Sequence, residues 1–285
     1  MKTKKLREML NEPGIIRAPG AFDAWSARLI QMAGFPAVYM TGYGTAASLL
    51  GAPDIGLISM TEMATHAKNM ASAIQVPLIA DADTGFGGVL NVIRTVEEYE
   101  RGGIAAIQIE DQVLPKRCGH MEGKELVTKK EMVSKVRAAV HARRSEDFIV
   151  IARTDARAVN GFEDAVERAL AYCEAGADVI FFEAPQSVEE MKKVASSINK
   201  PLLANMVEAG KTPFLTSAEL EKTGFKIVIY PASTLYAATK SVIELLQCLN
   251  KTDSTMNYLD KMVTFKDFFD MIGVEKARSL EKSFL

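Results

Sequence analysis

The sequence predicts a single (β/α)₈ barrel over residues 1–285, with extra C-terminal helices in an extension over residues 252–285. Eight short apolar segments recur along the chain, and each is followed by a segment with helical periodicity. The apolar segments are apolar throughout rather than alternating, as expected for strands buried on both faces of a parallel sheet. Polar side chains also follow six consecutive strands. A doubly wound open sheet is the alternative that this pattern leaves open.

The predicted elements alternate in order after a short N-terminal helix at residues 3–11 that ends before Pro13-Gly14. Several helices are followed by glycine, which is common just past a helix C-terminus. The predicted strands lie at residues 15–18, 37–40, 77–80, 105–109, 148–151, 178–182, 201–204 and 226–230. The predicted helices lie at residues 24–33, 61–73, 91–101, 129–144, 162–175, 187–197, 217–223 and 235–249.

Composition narrows the function classes. The chain is 48% hydrophobic and 25% charged with a net charge of −2, which is typical of globular proteins and argues against a nucleic-acid partner. No apolar stretch reaches the ~20 residues of a membrane span, and the charged segment 1–10 has no apolar core of a secretory signal. The widely spaced Cys118, Cys173 and Cys248 fit reduced thiols in the cytoplasm, where we expect this protein.

Polar and ionisable residues follow the predicted strands at the point where each strand ends. A barrel places all of these residues on one rim, and the C-terminal rim is the catalytic face of such barrels. The residues are Thr41 after strand two, Asp81 and Asp83 after strand three, Glu110 and Asp111 after strand four, Arg153 and Asp155 after strand five, Glu183 after strand six, and Asn205 and Glu208 after strand seven.

Three acids of this rim, together with Asp54 from the loop Ala52-Pro53-Asp54, predict a metal site. Asp81 and Asp83 are two residues apart, so on a strand they would point the same way. With Glu110 and Asp54 they form a cluster whose pKa values would rise unless a cation neutralised it. Oxygen ligands favour Mg²⁺, with Mn²⁺ as a substitute, and no histidine or cysteine pairs with the cluster to favour zinc. The alternative is a ring of salt bridges with nearby cations, namely Lys116, Arg117 and Arg153.

The loop after strand four, residues 112–124, carries a thiol among cations. Cys118 follows Lys116 and Arg117 and precedes His120, and cations of this kind favour the thiolate and suit proton transfer. The loop is rich in charge, contains glycines and lacks apolar periodicity, so we expect it to open and close. A surface loop with an inert cysteine is the plainer alternative.

Four segments together carry a family resemblance that covers essentially the whole chain. They are DADTGFGG, IEDQVLPKRCGH, ARTDAR and ANMVEAGKTP. With them the chain resembles the isocitrate lyase/phosphoenolpyruvate mutase superfamily. Within it the chain is similar to the small 2-methylisocitrate lyases and to the 2,3-dimethylmalate lyase/petal death protein branch. TGYGTAAS and NMVEAGKTP are more typical of the second group.

The resemblance implies a set of ligand contacts. Mg²⁺ would be held by Asp81 and Asp83, directly or through water, and Asp54 and Glu110 would support its water shell. The substrate would chelate the metal beside Asp81. Its carboxylate and its distal part would be held by further residues, namely Tyr43, Gly44, Thr45 and Arg153 for the carboxylate and Glu183 and Asn205 for the distal part.

The resemblance also implies a reaction. The chain would be a Mg²⁺-dependent carbon–carbon lyase that cleaves a branched 2-hydroxy di- or tricarboxylate such as 2,3-dimethylmalate or 2-methylisocitrate. Cys118 would protonate the enolate, and Arg153, Glu110 and His120 would be the other catalytic residues. The alternatives are a phosphonate enzyme of the phosphoenolpyruvate or carboxyvinyl-carboxyphosphonate phosphonomutase type, an oxaloacetate hydrolase, and an inactive barrel that acts as an interaction protein. The phosphonate enzymes lack the loop cysteine.

The tail carries an apolar stripe at roughly helical spacing. Such a surface must pack on the chain's own barrel or on a partner subunit, and we favour the partner. The resemblance implies that neighbouring subunits exchange their last helix and form a homotetramer as a dimer of helix-swapped dimers. The stripe consists of Tyr258, Met262, Phe265, Phe268, Phe269, Met271 and Ile272.

Overall fold

A computed structural model describes residues 1–119 and 121–285. Eight strands form a closed barrel in chain order, and every neighbouring pair is parallel. The predicted (β/α)₈ fold is therefore confirmed, and the open-sheet alternative is excluded because β8 pairs with β1. The strands are β1 Ile16–Ala21, β2 Val38–Met40, β3 Leu78–Asp81, β4 Ala106–Glu110, β5 Ile149–Thr154, β6 Val179–Phe182, β7 Leu202–Asn205 and β8 Ile227–Tyr230.

The predicted helices are all present, and two helices that were not predicted join them. The α-helices are α1 Lys2–Asn11, α2 Ala24–Met32, α3 Gly42–Leu50, α4 Met60–Ala73, α5 Val89–Arg101, α6 Lys129–Ala142, α7 Ala156–Val159, α8 Phe162–Glu174, α9 Val188–Ser197, α10 Ser217–Thr223, α11 Ser233–Thr252, α12 Phe265–Ile272 and α13 Val274–Lys282. In the part of the chain that the structure describes, no helix combines the length and the apolar character that crossing a membrane requires.

Helix α3 is the unpredicted element that matters for the site. Its two glycines lower its helix propensity, so the sequence reads as a loop. Thr41 starts the helix, because its side chain accepts a hydrogen bond from the backbone N–H of Gly44 at 3.2 Å. The helix ends at Gly51, which adopts the left-handed conformation.

The barrel interior is a separate apolar core from the layer between strands and helices. Leu6 and Leu10 of α1 belong to this interior core, so the N-terminal helix packs at the barrel's N-terminal end. Asp178 lies at the same end and pairs with Arg7 at 2.7 Å and with Arg143 at 2.8 Å. The N-terminal end is thus closed by apolar packing and ion pairs, which leaves the C-terminal end for a site.

The chain divides into two compact units, Met1–Leu235 and Tyr236–Leu285. The second unit contains most of α11, a 3₁₀ helix at Met256–Lys261, α12 and α13. Within it the Tyr258 hydroxyl donates to the carbonyl oxygen of Ser241 at 3.2 Å, and the rings of Phe265 and Phe269 are 4.3 Å apart. The apolar stripe of the tail therefore lies on short helices, while helix exchange between subunits stays a prediction.

Candidate active site

The C-terminal end of the barrel brings most of the predicted site residues together. The ends of β3 to β7 deliver polar side chains into the same buried region, as the rim argument requires. Five of these residues are buried, at most 7% exposed, and Asn205 is half-buried beside them; the five are Asp81, Asp83, Glu110, Arg153 and Glu183. Asp54 joins them from the loop after α3.

Asp81 and Asp83 meet through a turn rather than through strand alternation. Strand β3 ends at Asp81, and Asp83 lies beyond it with φ = 46°, in the left-handed region. The backbone N–H of Asp83 donates to Asp81 Oδ1 at 2.9 Å. Helix α3 packs closely here, since a Cβ on Gly42 would lie 2.3 Å from Asp81 Oδ2. The two acids are adjacent as predicted, but the turn after β3 brings them together and not the alternation of side chains along a strand.

Lys116 forms the salt bridges that the alternative interpretation of the acids described. Its Nζ lies 2.6 Å from Asp54 Oδ1 and 2.8 Å from Asp83 Oδ1, and its side chain is 3% exposed. Burial lowers the pKa of Lys116, but the acids around it raise that pKa well above its ordinary value. Arg117 is placed differently, because its guanidinium donates to the carbonyl oxygen of Glu122 at 3.1 Å.

Arg153 lies among three carboxylates. Its Nε and Nη2 donate to the two oxygens of Asp155 at 2.9 and 3.0 Å. Glu110 lies 3.3 Å from Nε, and Glu183 lies 3.6 Å from Nη2. The guanidinium also lies over the ring of Phe181, 4.8 Å from its centroid. These contacts fix its orientation at the barrel mouth.

Glu183 and Asn205 occupy the neighbouring strand ends. Asn205 Nδ2 donates to Glu183 Oε2 at 3.2 Å, and Glu183 also contacts Arg153. Asn205 Oδ1 is buried and has no hydrogen-bond partner among the described residues. This pair continues the polar surface away from Asp81, so its predicted role towards the distal part of a substrate stays a prediction.

Negative charge exceeds positive charge in this cluster. Burial, and then repulsion from Asp83, raises the pKa of Asp81 to about 6. Burial also raises the pKa of Asp83, and it raises that of Glu110 well above the ordinary value. Among the described residues six carboxylates share three cations: Asp54, Asp81, Asp83, Glu110, Asp155 and Glu183 with Lys116, Lys124 and Arg153.

The acids fit a hard divalent cation. Their donors are oxygens only, and Glu110 Oε1 is buried without a hydrogen-bond partner among the described residues. Over residues 1–119 and 121–285 no three histidine, cysteine or acidic side chains are arranged to enclose a metal by themselves. Mg²⁺ commonly takes one or two carboxylates and keeps several waters, so a partly open set suits it.

The loop that carries Cys118 lies over the barrel mouth. Its base is fixed where Gln112 bridges Leu126. A Cβ on Gly119 would lie 2.2 Å from Arg153 Nη2 and 2.4 Å from Glu183 Oε1, so a larger residue here would displace one of these two side chains. Cys118 precedes it and is half-buried. His120 lies outside the described residues, so its predicted catalytic role stays a prediction.

The first turn of α3 contains the three residues predicted to bind a substrate carboxylate. Tyr43 is 37% exposed, while Gly44 and Thr45 are buried. A helix N-terminus presents unpaired N–H groups and a positive partial charge, both of which favour an anion. The contact between Gly42 and Asp81 places this helix start beside the acids.

Two buried residues that the sequence analysis did not single out support Asp81. The Tyr39 hydroxyl donates to Gln108 Oε1 at 2.9 Å, and Gln108 Nε2 lies 3.4 Å from Asp81 Oδ1. Gln108 could have been predicted as a site residue, because it is a polar residue inside the apolar segment IAAIQI.

Asp111 does not face the site. Its Oδ2 accepts from Thr154 Oγ1 and the Tyr172 hydroxyl, both at 2.8 Å, and its Oδ1 accepts from the backbone N–H of Asp155 at 2.9 Å. Successive residues of a strand point to opposite faces, so Glu110 inside the barrel implies Asp111 outside it. Asp111 therefore supports Asp155 from behind.

Known proteins are similar to this chain over nearly its full length. The family model for phosphoenolpyruvate phosphomutase matches residues 6–249. A 2,3-dimethylmalate lyase from Eubacterium barkeri is 53% identical over 280 residues, which cover 98% of this chain and 97% of that protein. A 2-methylisocitrate lyase from Aeropyrum pernix is 48% identical, with 94% of this chain and 86% of that protein covered.

Solved structures share the fold. A crystal structure of a 2,3-dimethylmalate lyase is 41% identical with a TM-score of 0.95, covering 99% of this chain and 95% of that one. An oxaloacetate acetylhydrolase with 3,3-difluorooxalacetate is 38% identical, with a TM-score of 0.94 and 99% and 96% covered. A phosphonopyruvate hydrolase with oxalate and Mg²⁺ is 32% identical, with a TM-score of 0.89 and 99% and 98% covered. The chain thus belongs to the phosphoenolpyruvate phosphomutase family, within the phosphoenolpyruvate mutase/isocitrate lyase superfamily that its motifs indicated.

Proposed function

We propose that this protein is a carbon–carbon lyase that cleaves a branched 2-hydroxy dicarboxylate or tricarboxylate, with 2,3-dimethylmalate as the first candidate and 2-methylisocitrate as the second. The observation that carries the proposal is the contact of Gly119 with Arg153, which brings Cys118 to the mouth of a buried acidic site. The names of the two relatives at 53% and 48% identity support the same reaction class.

Mg²⁺ is the proposed cofactor, with Mn²⁺ as a substitute that takes the same oxygen ligands. Asp81 and Asp83 would hold it, and Asp54 and Glu110 would support its water shell. When bound, the metal supplies Lewis-acid stabilisation of negative charge on substrate oxygens. The excess of carboxylates in the cluster supports this proposal, as does the Mg²⁺ present with oxalate in the phosphonopyruvate hydrolase structure.

The chain's own residues would bind and orient the substrate. The N-terminal turn of α3, with Tyr43, Gly44 and Thr45, would hold the carboxylate next to the hydroxyl-bearing carbon. Arg153 would neutralise negative charge as the bond breaks, and its fixed orientation means that little reorganisation is needed. The loop over the mouth would exclude water from the reacting carbon.

Two protons move in the proposed reaction. Glu110 Oε1, buried and without a hydrogen-bond partner among the described residues, would take the proton of the substrate hydroxyl. The carbon–oxygen double bond then forms as the neighbouring carbon–carbon bond breaks, and the electron pair of that bond stays on the departing fragment as an enolate. The Cys118 thiol gives its proton to the enolate carbon that was part of the broken carbon–carbon bond. A 2-hydroxy-2-methyl acid would yield pyruvate and a saturated acid.

An oxaloacetate hydrolase is the second candidate, because the oxaloacetate acetylhydrolase structure matches this fold with a TM-score of 0.94. A phosphonate enzyme is less well supported than a lyase, since a carboxyvinyl-carboxyphosphonate phosphorylmutase from Arabidopsis thaliana is 41% identical and the phosphonopyruvate hydrolase 32%, below the two lyases at 53% and 48%. The inactive-barrel alternative is disfavoured, because the buried cluster of unbalanced acids would cost stability without a function.

A panel of acids tests the proposed function. The purified protein with Mg²⁺ should release pyruvate from 2,3-dimethylmalate or 2-methylisocitrate at least about tenfold faster than it converts oxaloacetate or phosphonopyruvate, because a methyl group's worth of pocket shape contributes about 10–200-fold discrimination. Product formation is followed by coupled assay for pyruvate and by chromatography for oxalate. Oxalate from oxaloacetate as the main product would establish the hydrolase instead.

The tail supports a proposal on assembly. We propose a homotetramer in which neighbouring subunits exchange their last helix, because α11 has no buried residue along its length. A chain that ends after residue 250 should lose this assembly, and sedimentation should show a smaller species or insoluble protein. A soluble truncated protein of unchanged subunit number would contradict the proposal.

The thiols support a cytoplasmic protein. Cys173 and Cys248 are free thiols. Reduced, unpaired cysteines are typical of cytosolic proteins, and we propose this location.

A further inference from the structure

We infer that Lys124 is a positioning residue that holds the described parts of the loop, residues 112–119 and 121–124, against the barrel mouth and links their closed position to Arg153. Its Nζ donates to the carbonyl oxygen of Gly119 and lies 3.2 Å from Asp155 Oδ1. The Lys124 side chain is 2% exposed and Asp155 is fully buried. A buried ammonium is costly unless it is paired, so these two partners specify where the loop must lie.

Asp155 connects the loop to the catalytic arginine. The oxygen that faces Lys124 also accepts from Arg153 Nη2 at 3.0 Å, and the other oxygen accepts from Arg153 Nε at 2.9 Å. Burial alone would raise the pKa of Asp155, but Arg153 and Lys124 bring it to about 2, so the carboxylate is ionised towards both partners. One carboxylate therefore fixes both groups.

The position of Asp155 is itself fixed from behind. Its backbone N–H donates to Asp111 Oδ1, and Asp111 is bound by the Tyr172 hydroxyl and Thr154. Lys124 thus attaches the loop to a rigid part of β5 and α8. Gly119, whose carbonyl Lys124 binds, is the residue that contacts Arg153 and follows Cys118.

Loss of the Lys124 ammonium should release the loop and leave Arg153 in place, since Arg153 keeps both hydrogen bonds to Asp155. The catalytic part of this inference rests on the proposed function. The defect would then lie in the placement of the Cys118 proton donor, which lowers kcat, and not in substrate binding, which sets KM when chemistry is slow.

The test uses Lys124→Met, which keeps the side-chain length and removes the donor, in the full-length protein. In the free protein, a protease that cleaves after arginine should cut at Arg117 about tenfold faster than in wild type, because cleavage follows the open population of the loop. The value of kcat on 2,3-dimethylmalate should fall about 10- to 100-fold with KM within about threefold. Lys129→Met, which removes an exposed ion pair with Glu167, is the matched control and should change neither quantity.

Lys124→Arg keeps the charge and a donor, so cleavage at Arg117 should be as slow in this variant as in wild type. This variant also tests the inference should Lys124→Met fail to fold. Cleavage of Lys124→Met at the wild-type rate, or no recovery in a folded Lys124→Arg, would overturn the inference. Failure of the proposed function has a different signature, because wild type would then turn over none of the acids while the cleavage rates still report on the loop.

Discussion

Replacing Asp83 by asparagine should lower kcat about 10³-fold and leave the barrel folded. As a ligand of the proposed Mg²⁺, Asp83 would contribute several kcal/mol of charge stabilisation, and each 1.4 kcal/mol corresponds to a factor of ten in rate. The barrel core does not use Asp83, which lies in the turn after β3. Steady-state kinetics at saturating Mg²⁺ and a calorimetric Mg²⁺ titration should both show the loss.

Asparagine is a better replacement than alanine because Asp83 has φ = 46°. Asparagine tolerates the left-handed region, whereas alanine there would add backbone strain to the loss of charge. Asp178→Asn is the matched control, since it makes the same chemical change at the N-terminal end of the barrel. That variant should lower the unfolding temperature through its lost ion pairs and keep kcat near wild type.

Two results would contradict the prediction that a divalent cation binds at Asp81 and Asp83. Full activity after exhaustive chelation would show that no divalent cation takes part. Wild-type kcat in Asp83→Asn, with Mg²⁺ affinity unchanged, would show that the cation binds elsewhere than at Asp81 and Asp83.

The barrel and its catalytic rim could be predicted because both follow from local patterns. Eight fully apolar segments require strands buried on both faces, and parallel strands place all their C-terminal ends on one side. The sequence pattern therefore predicts that the acids at the ends of β3 and β4 are neighbours of Arg153 in β5, and the strand pairing agrees. Asp111 was expected on the same rim as Glu110, but the alternation of side chains along the strand places it on the opposite face, behind Asp155.

The pairing of charges could not be predicted, because it depends on how loops fold over the rim. Lys116 and Arg117 are adjacent in sequence, yet Lys116 binds Asp54 and Asp83 while Arg117 binds a carbonyl oxygen of its own loop. Nothing in the sequence distinguishes these two cations. Helix α3 was missed for a related reason, since its Thr41 cap matters more than the low helix propensity of its glycines.

The contact between Gly119 and Arg153 places Cys118 at the barrel mouth, where its proposed role as the proton donor can be tested. Replacing Cys118 by serine should lower kcat about 10²- to 10⁴-fold, the usual contribution of general acid catalysis. Serine has nearly the same shape as cysteine, but its hydroxyl is a much weaker acid than a thiol. Calorimetry should show that Mg²⁺ and oxalate binding is retained, because the lost contribution lies in the transition state.

Alkylation gives an independent measurement on the same residue. Iodoacetamide should modify Cys118 quickly in the free protein, and Mg²⁺ with oxalate should protect it by holding the loop closed. Cys173 in α8 should react slowly, because burial raises the pKa of its thiol to about 11. Cys173→Ser is thus the matched control, and its kcat should stay near wild type. Turnover by Cys118→Ser at the wild-type rate would show that another group protonates the enolate, and the lyase proposal would then depend on the acidic cluster and Arg153.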